Sequence, residues 1–170
     1  MDSPTPPLWK DYQKRFITTV TYYQSTDTVE FQFTRTGSRE PVQSLLFEFK
    51  DFPCGISFDL HPQDGITRLS IHPVCVFYRN LKKMVQIRKK EKHHFDESDL
   101  HWFDGKNIED LEYAGAVPTD GHLFILHMSR TNQAIGLEII KAREVLDAIR
   151  RSVKLIRFHQ MSSCFEIDLE

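Results

Sequence analysis

Cysteine is scarce in this chain and odd in number, with Cys54, Cys75 and Cys164 the three present. Their wide spacing fits neither a disulfide framework nor a Cys-x-x-Cys metal knuckle, and it points to a reducing compartment. Glycine is also sparse, at seven residues, and no Gly-rich phosphate loop or Gly-x-Ser-x-Gly elbow is among its contexts. The histidines His93, His94, His101, His127 and His159 lack H-E-x-x-H or Cys/His zinc spacing, so no metal site and no cofactor are expected. Charge of one sign is lacking too. A formal net charge of -2 and a pI near 6.4 exclude a uniformly basic protein, and any affinity for nucleic acid must come from a local patch. No apolar run reaches the roughly 18–20 residues of a spanning helix. The opening Met-Asp-Ser-Pro-Thr-Pro-Pro has neither the basic start nor the apolar centre of a signal peptide. These absences predict a chain without a membrane partner, located in the nucleus or cytoplasm.

What the sequence does contain is one pattern written twice, 68 positions apart and without a gap. Gly-Ile-Thr-Arg-Leu-Ser-Ile and an amphipathic helix occupy 65–90; Gln-Ala-Ile-Gly-Leu-Glu-Ile and another helix occupy 133–158. Leu69 and Ile71 align with Leu137 and Ile139. Val74, Phe77, Tyr78, Leu81 and Val85 align with Ala142, Val145, Leu146, Ile149 and Val153, at the i, i+3, i+4, i+7, i+11 spacing of one helix face. The shared pattern argues for structural duplication over reuse of a common amphipathic grammar.

Strands are predicted over 16–23 and 28–36, where Val29, Phe31 and Phe33 alternate with Glu30, Gln32 and Thr34. A third strand is expected at 45–50, a hairpin from Ile56–Leu60 and Ile66–Ile71, and a helix that starts behind Pro73. The stretch 93–121 reads as an acidic connector with short strands near His101–Phe103 and Glu112–Val117. Strands at Leu123–Met128 and Ala134–Ile140 then lead to a helix over Ala142–Ile156. Several antiparallel strands followed by one helix, twice, define an α+β fold: two packed repeats of antiparallel β-sheet, each followed by an amphipathic helix. The expected partition is a lead-in at 1–12, a first half at 13–92, the connector at 93–121, a second half at 122–160 and a strand or tail at 161–170. Together these form one compact domain.

The two strand-to-helix junctions resemble those of the PC4, Whirly and PUR single-stranded nucleic-acid-binding proteins, a group in which a β-β-β-β-α unit occurs twice, within a chain or across a dimer. The resemblance covers 54–90 and 122–158, and 13–52 more loosely. It implies a curved sheet that stacks bases on aromatics and holds phosphates with Lys and Arg. Single-strand binders need such platforms, since stacking is worth about 1–3 kcal/mol per base. The candidates are Tyr22, Tyr23, Arg35, Arg39, Lys50 and Arg68 on or near the strands. On the helices they are Lys82, Lys83, Arg88, Lys89, Lys90, Arg150 and Arg151. Phe31, Phe33, Phe47 and Phe58 lie on the apolar side of the alternation and are expected in the core. Cys75, among the apolar set of the first helix, reads as a buried inert thiol.

The leading expectation is therefore a non-enzymatic binder of single-stranded DNA or RNA. The alternative is a protein-protein adaptor or assembly subunit that uses sheet edges, the acidic 93–121 stretch and the alternating Cys164–Leu169 segment, with self-association as one form. The acidic cluster at 96–112 has no spacing that would pair two carboxylates for catalysis, and no catalytic residue is expected.

Overall fold

A computed structural model describes residues 17–33, 43–61, 65–90, 101–106, 112–119 and 123–157. The elements run β1 (Ile17–Tyr23), β2 (Thr28–Phe33), β3 (Gln43–Glu48), β4 (Gly55–His61), β5 (Gly65–His72), α1 (Val74–Lys90), β6 (His101–Asp104), β7 (Tyr113–Pro118), β8 (Phe124–Ser129), β9 (Ala134–Ile139) and α2 (Ala142–Arg157). The α+β class and the antiparallel sheets are as the sequence predicts. The short strands expected near His101–Phe103 and Glu112–Val117 in the acidic stretch are β6 and β7, both in the second sheet. The lead-in at 1–12 and the Ser162–Glu170 segment lie outside the described residues.

Strand order is β1-β2-β5-β4-β3 in the first sheet and β6-β9-β8-β7 in the second. The two sheets share one topology. In each, a three-strand meander ends in the strand that feeds the helix, and an earlier strand (β2 or β6) pairs along that strand's other side. The first sheet adds β1 beyond β2.

The register makes the duplication specific. In the first sheet Ile56 pairs with Ile71, Phe58 with Leu69 and Asp59 with Arg68; a shift then sets Leu60 opposite Ile66. In the second, Phe124 pairs with Ile139, Leu126 with Leu137 and His127 with Gly136; a shift then sets Met128 opposite Ala134. Adding 68 to each residue number of the first set gives the second, the irregularity included. Because side chains alternate faces along a strand, this shared register sends equivalent residues to equivalent faces.

Period-two alternation buries Val29, Phe31 and Phe33 from β2 and Ile56, Phe58 and Leu60 from β4. With Leu69, Leu126, Leu137 and the apolar stripes of both helices, they form one core cluster. Phe31 of the first sheet meets Phe124 of the second edge to face, ring centroids 5.9 Å apart. The inner faces of the sheets therefore share a core. The helices pack against each other, and α2 also packs on β1.

The edges of the sheets are stitched by backbone. Phe49 bridges Gly105 beyond the ends of β3 and β6, with Lys50 N–H donating to Asp104 O (3.1 Å) and Lys106 N–H to Glu48 O (2.8 Å). Gly105 suits that approach, since a Cβ there would lie a tight 3.1 Å from Ala134 O, Ile135 O and the Phe47 ring, which would have to give way slightly.

The β1–β2 turn caps α1. Asp27, at φ 49°, accepts from Val74 N–H through its backbone carbonyl (2.8 Å) and from Cys75 N–H through Oδ2 (3.2 Å). A carboxylate at this end of a helix satisfies free N–H groups and complements the helix dipole.

Candidate functional site

Those of the residues expected to bind nucleic acid that the structure describes are spread over three regions. Tyr22 is a correction: it is buried, and its hydroxyl donates to Asp27 Oδ1 (2.9 Å), so it orients the α1 cap and offers no surface to a base. Tyr23, next along β1, points the other way and is 46% exposed. Arg68 is on the outer face of the first sheet, but its Nε and a terminal nitrogen each lie 2.7 Å from Asp59 Oδ2, and Glu30 stands 3.9 Å away. The hydrogen bond with Asp59 is the main cause that raises its pKa. Ser44 donates to the other Asp59 oxygen at 2.7 Å. That face sets Glu30, Glu48 and Asp59 against Arg68, a balance that disfavours phosphate.

Lys50 is exposed at the seam between the sheets. On the helices, the Lys82 ammonium sits 5.9 Å from the Tyr78 ring centroid, and Arg150 pairs with Asp147 at 3.0 Å. Lys83 and Arg151 are exposed. Arg88, Lys89 and Lys90 belong to the last turns of α1, where only the backbone is described; Arg35 and Arg39 lie outside the described residues.

A different constellation occupies the open face of the second sheet. Trp102 (β6) is 49% exposed, and its ring lies over Gly136 (β9) against the His127 ring (β8), centroids 4.7 Å apart. Tyr113 (β7), 56% exposed, continues the row: its ring centroid is 5.6 Å from that of His127, and its hydroxyl shares a 3.2 Å hydrogen bond with His127 Nδ1. The Trp102 indole N–H donates to Asp104 Oδ1 at 2.9 Å, which fixes the ring plane. Glu138 Oε1 stands 3.2 Å from His127 Nε2, at ion-pair distance but outside hydrogen-bond geometry. Two exposed rings thus flank a largely covered imidazole on one sheet face, tilted to it by 54° and 36°.

Gly136 makes this possible. A Cβ there would lie 2.7 Å from Trp102 Cη2 and Cζ2, closer than real contacts allow, so the bare backbone is the seat of the indole. The duplication shows what changed between the halves. Glu30, Arg68 and Asp59 in the first sheet occupy the positions of Trp102, Gly136 and His127 in the second. One face closes on itself through ion pairs; its counterpart presents aromatic surface.

None of the four residues of this site stands out in the sequence as a binding residue. Trp102 and Tyr113 lie in the acidic stretch, and His127 reads as isolated. The one signal for the site is the glycine aligned with Arg68 in the repeat.

Cys54 is a free, buried thiol whose Sγ lies 3.7 Å from Pro73 O. Burial, the largest cause, pushes its pKa from 9.0 to about 12. A raised folded pKa contributes stability that is complete below pH 9.0 and is lost as pH climbs towards about 12, because only the unfolded thiol ionises within that window. Cys54 should therefore resist iodoacetamide at pH 8.5 in the folded protein and react readily in denaturant; equal rates in both states would contradict its burial. Cys75 is buried as expected, but it is disulfide-bonded and not a free thiol, so cysteine usage no longer argues for a reducing compartment.

Among the described residues no three His, Cys, Asp or Glu side chains gather as metal ligands, and no helix is long and apolar enough to cross a membrane. Comparison with protein-family models, curated proteins and solved structures finds no match to this chain.

Proposed function

We propose that the chain is a non-enzymatic binding protein that takes single-stranded DNA or RNA on the open face of its second sheet, with bases stacked on Trp102 and Tyr113 and the His127 ring wedged between them. The observation that carries this reading is the pair of exposed rings, Trp102 and Tyr113, held on either side of His127. Stacking tolerates any base, because every base has a π-face. The resemblance of the two strand-to-helix junctions to the PC4, Whirly and PUR proteins supports it.

Charge shapes the mode of binding. Asp104 and Glu138 flank the row, so phosphates gain little there, and cations such as the exposed Lys106 must lie off it. Binding therefore rests on stacking more than on counterion release. Fluorescence-polarisation titration of a labelled single-stranded oligonucleotide, as DNA and as RNA, should give a shallow log–log salt slope. One or two phosphate contacts correspond to about -0.7 to -1.4. Absence of binding at low salt overturns the reading; a steep slope moves the site to the basic helices.

The same acidic flanks favour a second reading, the protein-protein adaptor, because an aromatic patch with carboxylates at its rim also suits a polypeptide. The two readings diverge in competition. A single-stranded oligonucleotide should displace whatever the row holds if the first is right.

A further inference from the structure

A separate cleft of about 310 Å³ opens at the seam between the sheets, with Glu48, Phe52, Pro53, His72, Pro73 and Lys106 in its lining. Its size falls at the lower end of the roughly 300–1,000 Å³ of small-molecule sites. The apolar part is closely packed. Phe49 and Phe52 stack with centroids 4.4 Å apart, and both pack edge to face on Phe103, at 5.1 and 6.0 Å.

The polar part carries one charge of each sign. Glu48 and Lys106 are both exposed, and they are tied together through backbone by the Lys106 N–H donating to Glu48 O at 2.8 Å. Among the described residues neither side chain engages an opposite charge. His72 adds a polar wall, its Nδ1 held 3.3 Å from Thr28 Oγ1. Cys54, also in the lining, adds no charge, because its thiol remains neutral.

We infer that this cleft binds a small zwitterion with a flat apolar body, an aromatic α-amino acid being the simplest case. The ring would lie on Phe52 and the two prolines, the carboxylate towards Lys106 and the ammonium towards Glu48. Complementarity selects this class. A phosphate ester would face the Glu48 carboxylate, and a singly charged ligand would engage only one of the two charges. The site is independent of the aromatic row and stands or falls without it.

The test is an NMR titration of the intact chain that follows the backbone amides of Gly55, in the cleft wall, and Lys106. Phenylalanine should shift both, with a dissociation constant on the order of 1 mM. Phenethylamine, without the carboxylate, and 3-phenylpropanoate, without the ammonium, should each bind roughly tenfold more weakly. Lys106→Met should remove the preference for phenylalanine over phenethylamine, and Glu48→Gln its preference over phenylpropanoate. Both side chains are exposed, so neither variant threatens folding. No shift with phenylalanine at about 10 mM overturns the inference. Equal binding of the three compounds does so too, since the cleft would then be merely greasy.

Discussion

Replacing Phe31 by alanine should destabilise the protein by about 3–5 kcal/mol, the cost of removing a large, fully enclosed aromatic side chain. Phe31 has no exposed surface, stacks on Phe33 with centroids 6.3 Å apart, and meets Phe124 from the opposite sheet at 5.9 Å. Native domains are stable by only about 5–15 kcal/mol, so this one change removes a large part of the total. Chemical denaturation followed by circular dichroism measures it directly. A milder pair, Phe31→Leu and Phe124→Leu, tests whether the two halves share a core. Combined in a double-mutant cycle, they should show a coupling of roughly 0.5–1.5 kcal/mol, the range for edge-to-face rings. Strict additivity, or a loss below about 1 kcal/mol for the alanine variant, would mean that the sheets do not meet as described. Unfolding should also be a single transition, because both sheets and both helices feed one cluster.

Much of this architecture is legible in the amino-acid sequence, because the signals are local and periodic. Val29-Glu30-Phe31-Gln32-Phe33 declares a strand with one buried face, and β2 runs over it with that face inward. The apolar stripe from Val74 to Val85 declares α1, with Pro73 just ahead of its first residue. The offset of 68 reaches further than pattern, since it reproduces the pairing register. Non-local partners are not legible in the same way. Tyr22 and Tyr23 are neighbours in sequence with the same composition of ring and hydroxyl, yet one is buried because Asp27, which caps a helix begun 47 positions later at Val74, also accepts its proton. Arg68 reads as a cation until the register places Asp59 opposite it. The short strand expected near Glu112–Val117 is present as Tyr113–Pro118, but nothing local in that acidic, Ala- and Gly-rich run names β8 as its partner. The aromatic site combines all three difficulties, as its four members come from four different strands.

Trp102→Ala is the prediction on which the proposed site turns. Loss of one stacking platform should weaken binding of a single-stranded oligonucleotide by about 1–3 kcal/mol, or roughly 5–150-fold. Trp102 is half exposed and rests on bare backbone at Gly136, so stability should change by less than about 1 kcal/mol. Binding and folding are thereby separable, with the thermal midpoint as control. Gly136→Val asks the same question with the indole retained. Its Cβ would lie 2.7 Å from the ring, which must swing away from His127 and break the row. If stacking in register is what binds, Gly136→Val should weaken binding nearly as much as Trp102→Ala. The double variant should then add little, since both act through one ring. Tyr113→Phe keeps a stacking face and gives up only the 3.2 Å hydrogen bond to His127, so it should bind within about threefold of the parent. Arg68→Met, in the equivalent place on the first sheet, should leave binding unchanged, because that guanidinium is already committed to Asp59. Should Trp102→Ala bind as tightly as the parent, the open face of the second sheet is not the binding surface, whatever the chain binds.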